Sequence, residues 1–154
     1  MMILRSLLYA AIFYPATALL AVVGLAVGLV SRPAMLALIL AWARLNDWLA
    51  RNVLGIRTRV EGQMPKGPHL IAVKHQSMFE TTEMMLFVNV PVIVIKRELA
   101  LIPFVGWLMR RYGVIAVERS AGAKALRALV SQARKAGASG RPILIYPEGT
   151  RVRP

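Results

Sequence analysis

The amino-acid sequence predicts an α/β protein in which N-terminal membrane helices precede a mostly parallel sheet with flanking helices. Three observations carry this expectation. Residues 7–30 run 24 positions without a charge, more than the roughly 20 apolar residues that cross a bilayer as a helix. From about Arg51 onward, short β-rich runs alternate three times with helical ones, the pattern of strand-helix-strand units. Runs such as Val-Ile-Val-Ile at 92–95 and Ile-Leu-Ile at 143–145 lack polar alternation, as parallel strands covered on both faces do.

Composition narrows the class. Of 154 residues, 57% are hydrophobic and 18% charged, against averages of about 45–50% and 25%; with a mean hydropathy of +0.56 this excludes an ordinary soluble protein and a disordered one. The 20 Lys and Arg against 7 Asp and Glu give +13, which calls for an anionic partner: nucleic acid, a phospholipid surface or an acidic substrate carrier. With no cysteine there is no disulfide frame, thiolate nucleophile or Cys-type metal site.

Element by element, the N-terminal run has a cleaved signal peptide as its rival reading. Arg5, the apolar stretch 7–14 and the small residues Ala16, Thr17 and Ala18 have the required shape. Residues 19–30 beyond them are still wholly apolar, and a mature chain would not begin that way. Ser31-Arg32-Pro33 breaks the run, with Pro33 suited to the first turn of a new helix. Residues 34–50 then start apolar and finish with Arg44, Asn46 and Asp47 among Trp42, Leu45 and Trp48, a helix that begins in hydrocarbon and ends at the interface. Gly24 and Gly28 have the spacing that lets two membrane helices approach closely. One span plus an interfacial helix and a hairpin embedded in one leaflet both remain open. Further along, strands are expected over 56–61, 69–73, 92–96, 114–118 and 142–146, and helices over 79–88, 98–111 and 121–136. The last helix is the clearest, with Leu126, Leu129, Val130 and Ala133 on one face, Ser120 placed to cap it and Gly137 to end it.

Sites in such folds gather at the C-terminal ends of parallel strands, and polar residues cluster at three of them. His75 and Glu80 follow the strand at 69–73. On a continuous helix they would point about 140° apart, so they can meet only if His75 lies in the turn before a helix and Glu80 in its first turn. A carboxylate so placed can hold an imidazole whose other nitrogen accepts a proton from a hydroxyl. Ser77-x-x-Glu80 also reads as a capping box, with His75 an incidental turn residue; spacing alone leaves both open. Glu118-Arg119 ends the strand at 114–118, as a phosphate grip or a surface ion pair. Pro147-Glu148-Gly149-Thr150-Arg151 follows the last strand, offering an acceptor for hydroxyls, a flexible backbone and a guanidinium fork, or a turn and nothing more.

Taken in order, and with Lys96-Arg97-Glu98-Leu99, Pro103, Gly106 and Trp107 between them, the clusters resemble the glycerophospholipid acyltransferase family, within it the bacterial 1-acylglycerol-3-phosphate acyltransferases. The family's His-x4-Asp block is matched by His75 and Glu80, its Gly-x-Ile-x3-Arg block by Gly113, Ile115 and Arg119, and its Pro-Glu-Gly-Thr-Arg block by residues 147–151. The resemblance implies that His75 deprotonates the sn-2 hydroxyl of lysophosphatidic acid for attack on an acyl thioester, that Glu80 orients and stabilises the imidazolium, and that phosphatidic acid forms without a covalent enzyme intermediate. Arg119 and Arg151 would grip the phosphate, Glu148, Gly149 and Thr150 would shape the glycerol site, and Lys96 would join the substrate-binding set. No cofactor or metal is implied, only acyl-CoA or acyl carrier protein as co-substrate. Glu in place of Asp at position 80 adds a methylene, and activity is expected to survive it. The family's fourth block, an apolar Val-Pro-rich strand, is not found before Pro154, so residues 51–154 are expected to be a partial acyltransferase domain behind membrane-anchoring helices in 1–50.

Two alternatives remain in play. The same chemistry could serve another acceptor, glycerol 3-phosphate or a lyso-aminolipid, or the chain could be a non-catalytic, membrane-anchored basic binding protein. Its basic residues lack the aromatic interleaving of single-strand binders, so no nucleic-acid partner is expected. The basic residues Arg51, Arg57 and Arg59 after the second segment place the catalytic domain on the cytoplasmic face of the inner membrane by the positive-inside rule.

Overall fold

A computed structural model describes residues 1–118, 120 and 122–151. Helix α1, Met2–Val30, and helix α2, Arg32–Leu49, form a hairpin. Ser31 makes the break: its hydroxyl accepts the Ala34 N–H at 3.3 Å, with Pro33 in the first turn of α2. The two helices interlock through Phe13 and Trp42, whose rings stack at 5.9 Å, and through the Trp42 indole donating to Thr17 Oγ1 at 2.9 Å. Gly24 and Gly28 do allow close approach, though not to α2 alone. Leu108 lies against Gly24, while a Cβ at Gly28 would stand 2.9 Å from Met35 and 3.1 Å from Trp107. A π-helical turn, Ala50–Leu54, extends α2 and ends at Gly55, whose φ of 77° suits glycine.

Four parallel strands follow: β1 Leu70–Ala72, β2 Val92–Lys96, β3 Ile115–Val117 and β4 Ile143–Ile145, in the order β1-β4-β2-β3. Their registers, Leu70 with Ile143, Val92 with Ile143 and Val94 with Ile115, align the C-terminal ends of the strands along one edge. Side chains alternate across the sheet with period two. Ile93 and Leu144 join Met35 and Tyr112 under the helical hairpin, while Val92, Ile115 and Ile143 face Leu129, Ala133 and Ala136 of the long helix before β4. Strands β2 and β4 are thus covered on both faces, as their unbroken apolar runs require, while Leu70 and Ala72 of edge strand β1 are exposed on one.

Helix α3, Phe79–Phe87, follows β1; α4, Arg97–Leu101, and α5, Val105–Tyr112, lie between β2 and β3; α6, Gly122–Gly137, precedes β4. Two expectations need correction. Residues 56–61 form no strand: Ile56 and Val60 are exposed and Arg59 pairs with Glu61 at 2.8 Å, so the alternating pattern has neither a strand partner nor a core to face. The helix expected over 98–111 is two helices. Pro103 lacks the donor a continuous helix needs, and Phe104 turns the chain at φ 62°.

Candidate active site

The strand-to-helix turn after β1 positions the first cluster. His75 sits in that turn and Glu80 in the first turn of α3, the one arrangement in which they meet. His75 Nδ1 is 2.7 Å from Glu80 Oε1. The same carboxylate accepts the backbone N–H groups of Gln76 and Ser77 at 2.9 Å each, and the Ser77 hydroxyl at 2.7 Å through Oε2. Ser77 Oγ in turn accepts the Phe79 N–H at 3.0 Å. The capping and imidazole-holding readings are therefore both realised by one side chain. The added methylene lets Glu80 reach back over the turn.

Electrostatics fix the tautomer. Partial burial works against the Glu80 charge, but the hydrogen bonds from the Ser77 hydroxyl, the Ser77 backbone and His75 outweigh it and hold the carboxyl at about 2. An ionised carboxylate only accepts, so Nδ1 donates to it, and in the neutral imidazole the lone pair lies on Nε2. Tyr146, one residue past β4, packs its ring 4.3 Å from that of His75 and donates its hydroxyl to Thr81 Oγ1 at 3.0 Å. Imidazole position is thereby fixed from two elements.

A cavity of about 660 Å³ runs from the helical hairpin to this edge of the sheet. Its lining includes Gly24, Ile39 and Trp42 at one end, and His75, Lys96 and Arg151 at the other, with Gly149 and Thr150 beside them. Gly149 adopts φ 68° and its N–H bonds to Tyr146 O at 3.0 Å, a turn that favours glycine. Glu148 is exposed and outside that lining. Arg119 lies outside the described residues; its neighbour Glu118 pairs with Arg97. Gly113 and Ile115 stand at the opposite end of β3. There Gly113 turns α5 into the strand at φ 95°, and Ile115 is buried in the core.

Sequence reasoning assigned no role to Tyr146 beyond its place in the third cluster. Its signal is the strand order: β1 and β4 pair with Ala72 opposite Ile145, which sets the residues after each strand side by side. Nor did it find the seam between α2 and α3. Tyr9 donates to Asn46 Oδ1, and Asn46 Nδ2 donates to Thr82 Oγ1 at 2.6 Å, with Asn46 and Thr82 buried. Beside them Thr58 donates to Glu83 Oε2 at 2.8 Å. Burial pushes the Glu83 carboxyl up, against the Thr58 bond, and the neighbouring Asp47 charge adds to the rise.

The Acyltransferase family model covers residues 55–154, and the chain belongs to that family. It is similar to 1-acyl-sn-glycerol-3-phosphate acyltransferases from Pseudomonas aeruginosa (41% identity over 113 residues, 72% of this chain and 44% of that protein) and Helicobacter pylori (28% over 101 residues, 65% and 42%). The corresponding Saccharomyces cerevisiae protein is 27% identical over 112 residues, 71% of this chain and 37% of the relative. The chain thus spans less than half the length of these relatives. In fold it is similar to the 1-acyl-sn-glycerophosphate (LPA) acyltransferase PlsC from Thermotoga maritima, with a TM-score of 0.64 and 23% identity over 99% of this chain and 64% of that one.

Proposed function

We propose that this protein transfers a fatty acyl group from an acyl thioester to the sn-2 hydroxyl of 1-acyl-glycerol-3-phosphate, giving phosphatidic acid. The observation that carries the reading is the 2.7 Å contact of His75 Nδ1 with an ionised Glu80, which leaves Nε2 free to act as a base on the cavity wall. Nε2 removes the hydroxyl proton as the oxygen attacks the thioester carbonyl. The tetrahedral intermediate then expels the thiolate, which takes the proton back from the imidazolium. Glu80 stabilises that cation while it lasts. Lys96 and Arg151, which share the cavity with His75, bind the phosphate together with Arg119, and Gly149 and Thr150, also in its lining, shape the glycerol site. Binding both reactants beside one base supplies much of the acceleration.

The donor is acyl-CoA or an acyl carrier protein, both acidic and suited to a basic chain. Helix α1 is the one helix among the described residues long and apolar enough to cross a membrane. We place it in the inner membrane, with the acyltransferase domain of residues 51–154 on the cytoplasmic face. The test is to incubate the purified protein in detergent with an acyl thioester and one acceptor at a time. Phosphatidic acid and free thiol should appear in equal amounts with lysophosphatidic acid. Turnover with glycerol 3-phosphate instead would move the assignment to that acceptor, and tight nucleic-acid binding without thioester consumption would replace it with a binding function.

A further inference from the structure

Between α4 and α5 the chain reads Leu-Ala-Leu-Ile-Pro-Phe-Val over residues 99–105, seven positions without a polar side chain. Only Ala100 of these is buried. Leu101 is 66% and Phe104 71% exposed, and Leu99, Ile102 and Val105 are each at least 40% exposed. Apolar side chains of this size, contiguous and turned outward, mark an interaction surface.

The turn is also rigid, so its exposure is built in. Gly106 N–H bonds to Ile102 O at 2.7 Å and Leu108 N–H to Phe104 O at 3.0 Å, while the Arg110 guanidinium holds Ala100 O. Any side chain at Gly106 would place a Cβ 2.2 Å from Ala100 O. Phe104 itself sits at φ 62°, a region costly for a bulky residue and retained where the surroundings hold it for a purpose. The residue is left 71% exposed.

Position identifies what the surface meets. Leu108 lies against Gly24 and Arg111 Nε bonds to Gly28 O at 3.1 Å. Trp107 packs against Gly28 as well, so α5 lies along the C-terminal half of α1. The turn preceding α5 is therefore held beside α1, whose Leu19, Val22 and Val23 are exposed. Lys96, Arg97, Arg110 and Arg111 flank it in sequence against the single acid Glu98, a basic excess of the kind that borders apolar segments set into anionic lipid, although Arg97, Arg110 and Arg111 also bond to Glu118, Ala100 O and Gly28 O.

We propose that the α4–α5 turn is a second membrane contact, with Leu101 and Phe104 inserted among the acyl chains of the lipid that surrounds α1. This rests on the reading of α1 as membrane-embedded. Leu99 and Val105 also line the cavity that ends at His75, so insertion sets the cavity rim in lipid, where a water-insoluble acceptor is delivered without crossing water.

The chain has no cysteine, so single-cysteine labelling is free of background. Phe104→Cys, Leu101→Cys, Val22→Cys and Leu126→Cys are each labelled with a polarity-sensitive fluorophore and placed in phosphatidylcholine–phosphatidylglycerol vesicles containing acyl-chain nitroxide lipid. Labels at 101, 104 and 22 should emit to the blue and be quenched several-fold more by nitroxide lipid than by aqueous iodide. Leu126, 61% exposed on α6, should show the reverse. Leu101→Cys keeps the readout should the unusual φ at 104 not tolerate change. If 22 is in lipid and both turn labels are quenched by iodide, the turn lies in water and the proposal fails while the membrane reading stands. Iodide quenching at all four positions overturns both. Shielding of the turn labels from both quenchers assigns the surface to a protein partner or a second copy, and also overturns the proposal.

Discussion

At the residue scale, Glu80 has two duties that can be separated. Glu80→Gln keeps a hydrogen-bonding group against the Ser77 and Gln76 donors but cannot stabilise an imidazolium. Its kcat is expected to fall by about 10²-fold or more, the scale of a general base, with Glu80→Asp recovering much of the loss in steady-state assays. Linkage gives a second check. The Glu80 carboxyl is held at about 2 against an ordinary 4.5, so its ionisation stabilises the folded state fully above about pH 5, and that contribution is lost as pH falls from 4.5 toward 2. The part of the stability gap between wild type and Glu80→Gln that comes from the carboxylate should therefore shrink as pH falls below 4.5 in pH-dependent unfolding. Any fall in activity between pH 8 and 5 comes from a group other than Glu80. The spacing of His75 and Glu80 was legible in sequence because both lie on one turn. Tyr146 was not, because its contact with His75 needs β4 beside β1, a pairing that no local pattern announces.

At the element scale, the seam between α2 and α3 ties the helical hairpin to the helix that carries Glu80. Thr82→Val leaves the Asn46 amide buried and short of an acceptor, which should cost about 1–3 kcal/mol. The double change Asn46→Leu with Thr82→Val should cost less than the sum of the single changes, by chemical unfolding in detergent. Gly106→Ala forces a methyl against Ala100 O at the α4–α5 turn; overpacking of that kind costs about 1–3 kcal/mol and should lower Tm. Strands at 92–96 and 143–145 were readable because both faces are buried and the sequence there is continuously apolar. Residues 56–61 alternate as a strand would, yet their apolar members face solvent. Period two shows what a segment can do, and a neighbouring strand decides whether it does so. The break at Pro103 and Phe104 was written in the sequence by the proline itself, but apolar residues on both sides masked it.

Across the whole molecule, apolar and basic excess are divided. Residues 1–50 carry 3 Arg against 1 Asp, a net +2, while residues 51–154 carry 17 basic against 6 acidic residues, +11. On the membrane placement proposed above, α1 supplies burial in lipid and the α/β layer supplies attraction to its surface, at about 1 kcal/mol per basic residue near anionic headgroups. Co-flotation with phosphatidylglycerol-containing vesicles should weaken as salt rises, whereas association with neutral vesicles, driven by α1, should change little. The central claim is that His75, held by Glu80 at the end of the cavity, is the base for acyl transfer. Its most direct test is the rate of phosphatidic acid formation from lysophosphatidic acid and an acyl thioester by His75→Ala, with lysophosphatidic acid binding measured in parallel. A loss of about 10²-fold or more in kcat with binding retained is the predicted result. A variant that binds the acceptor and turns over at the wild-type rate would contradict it.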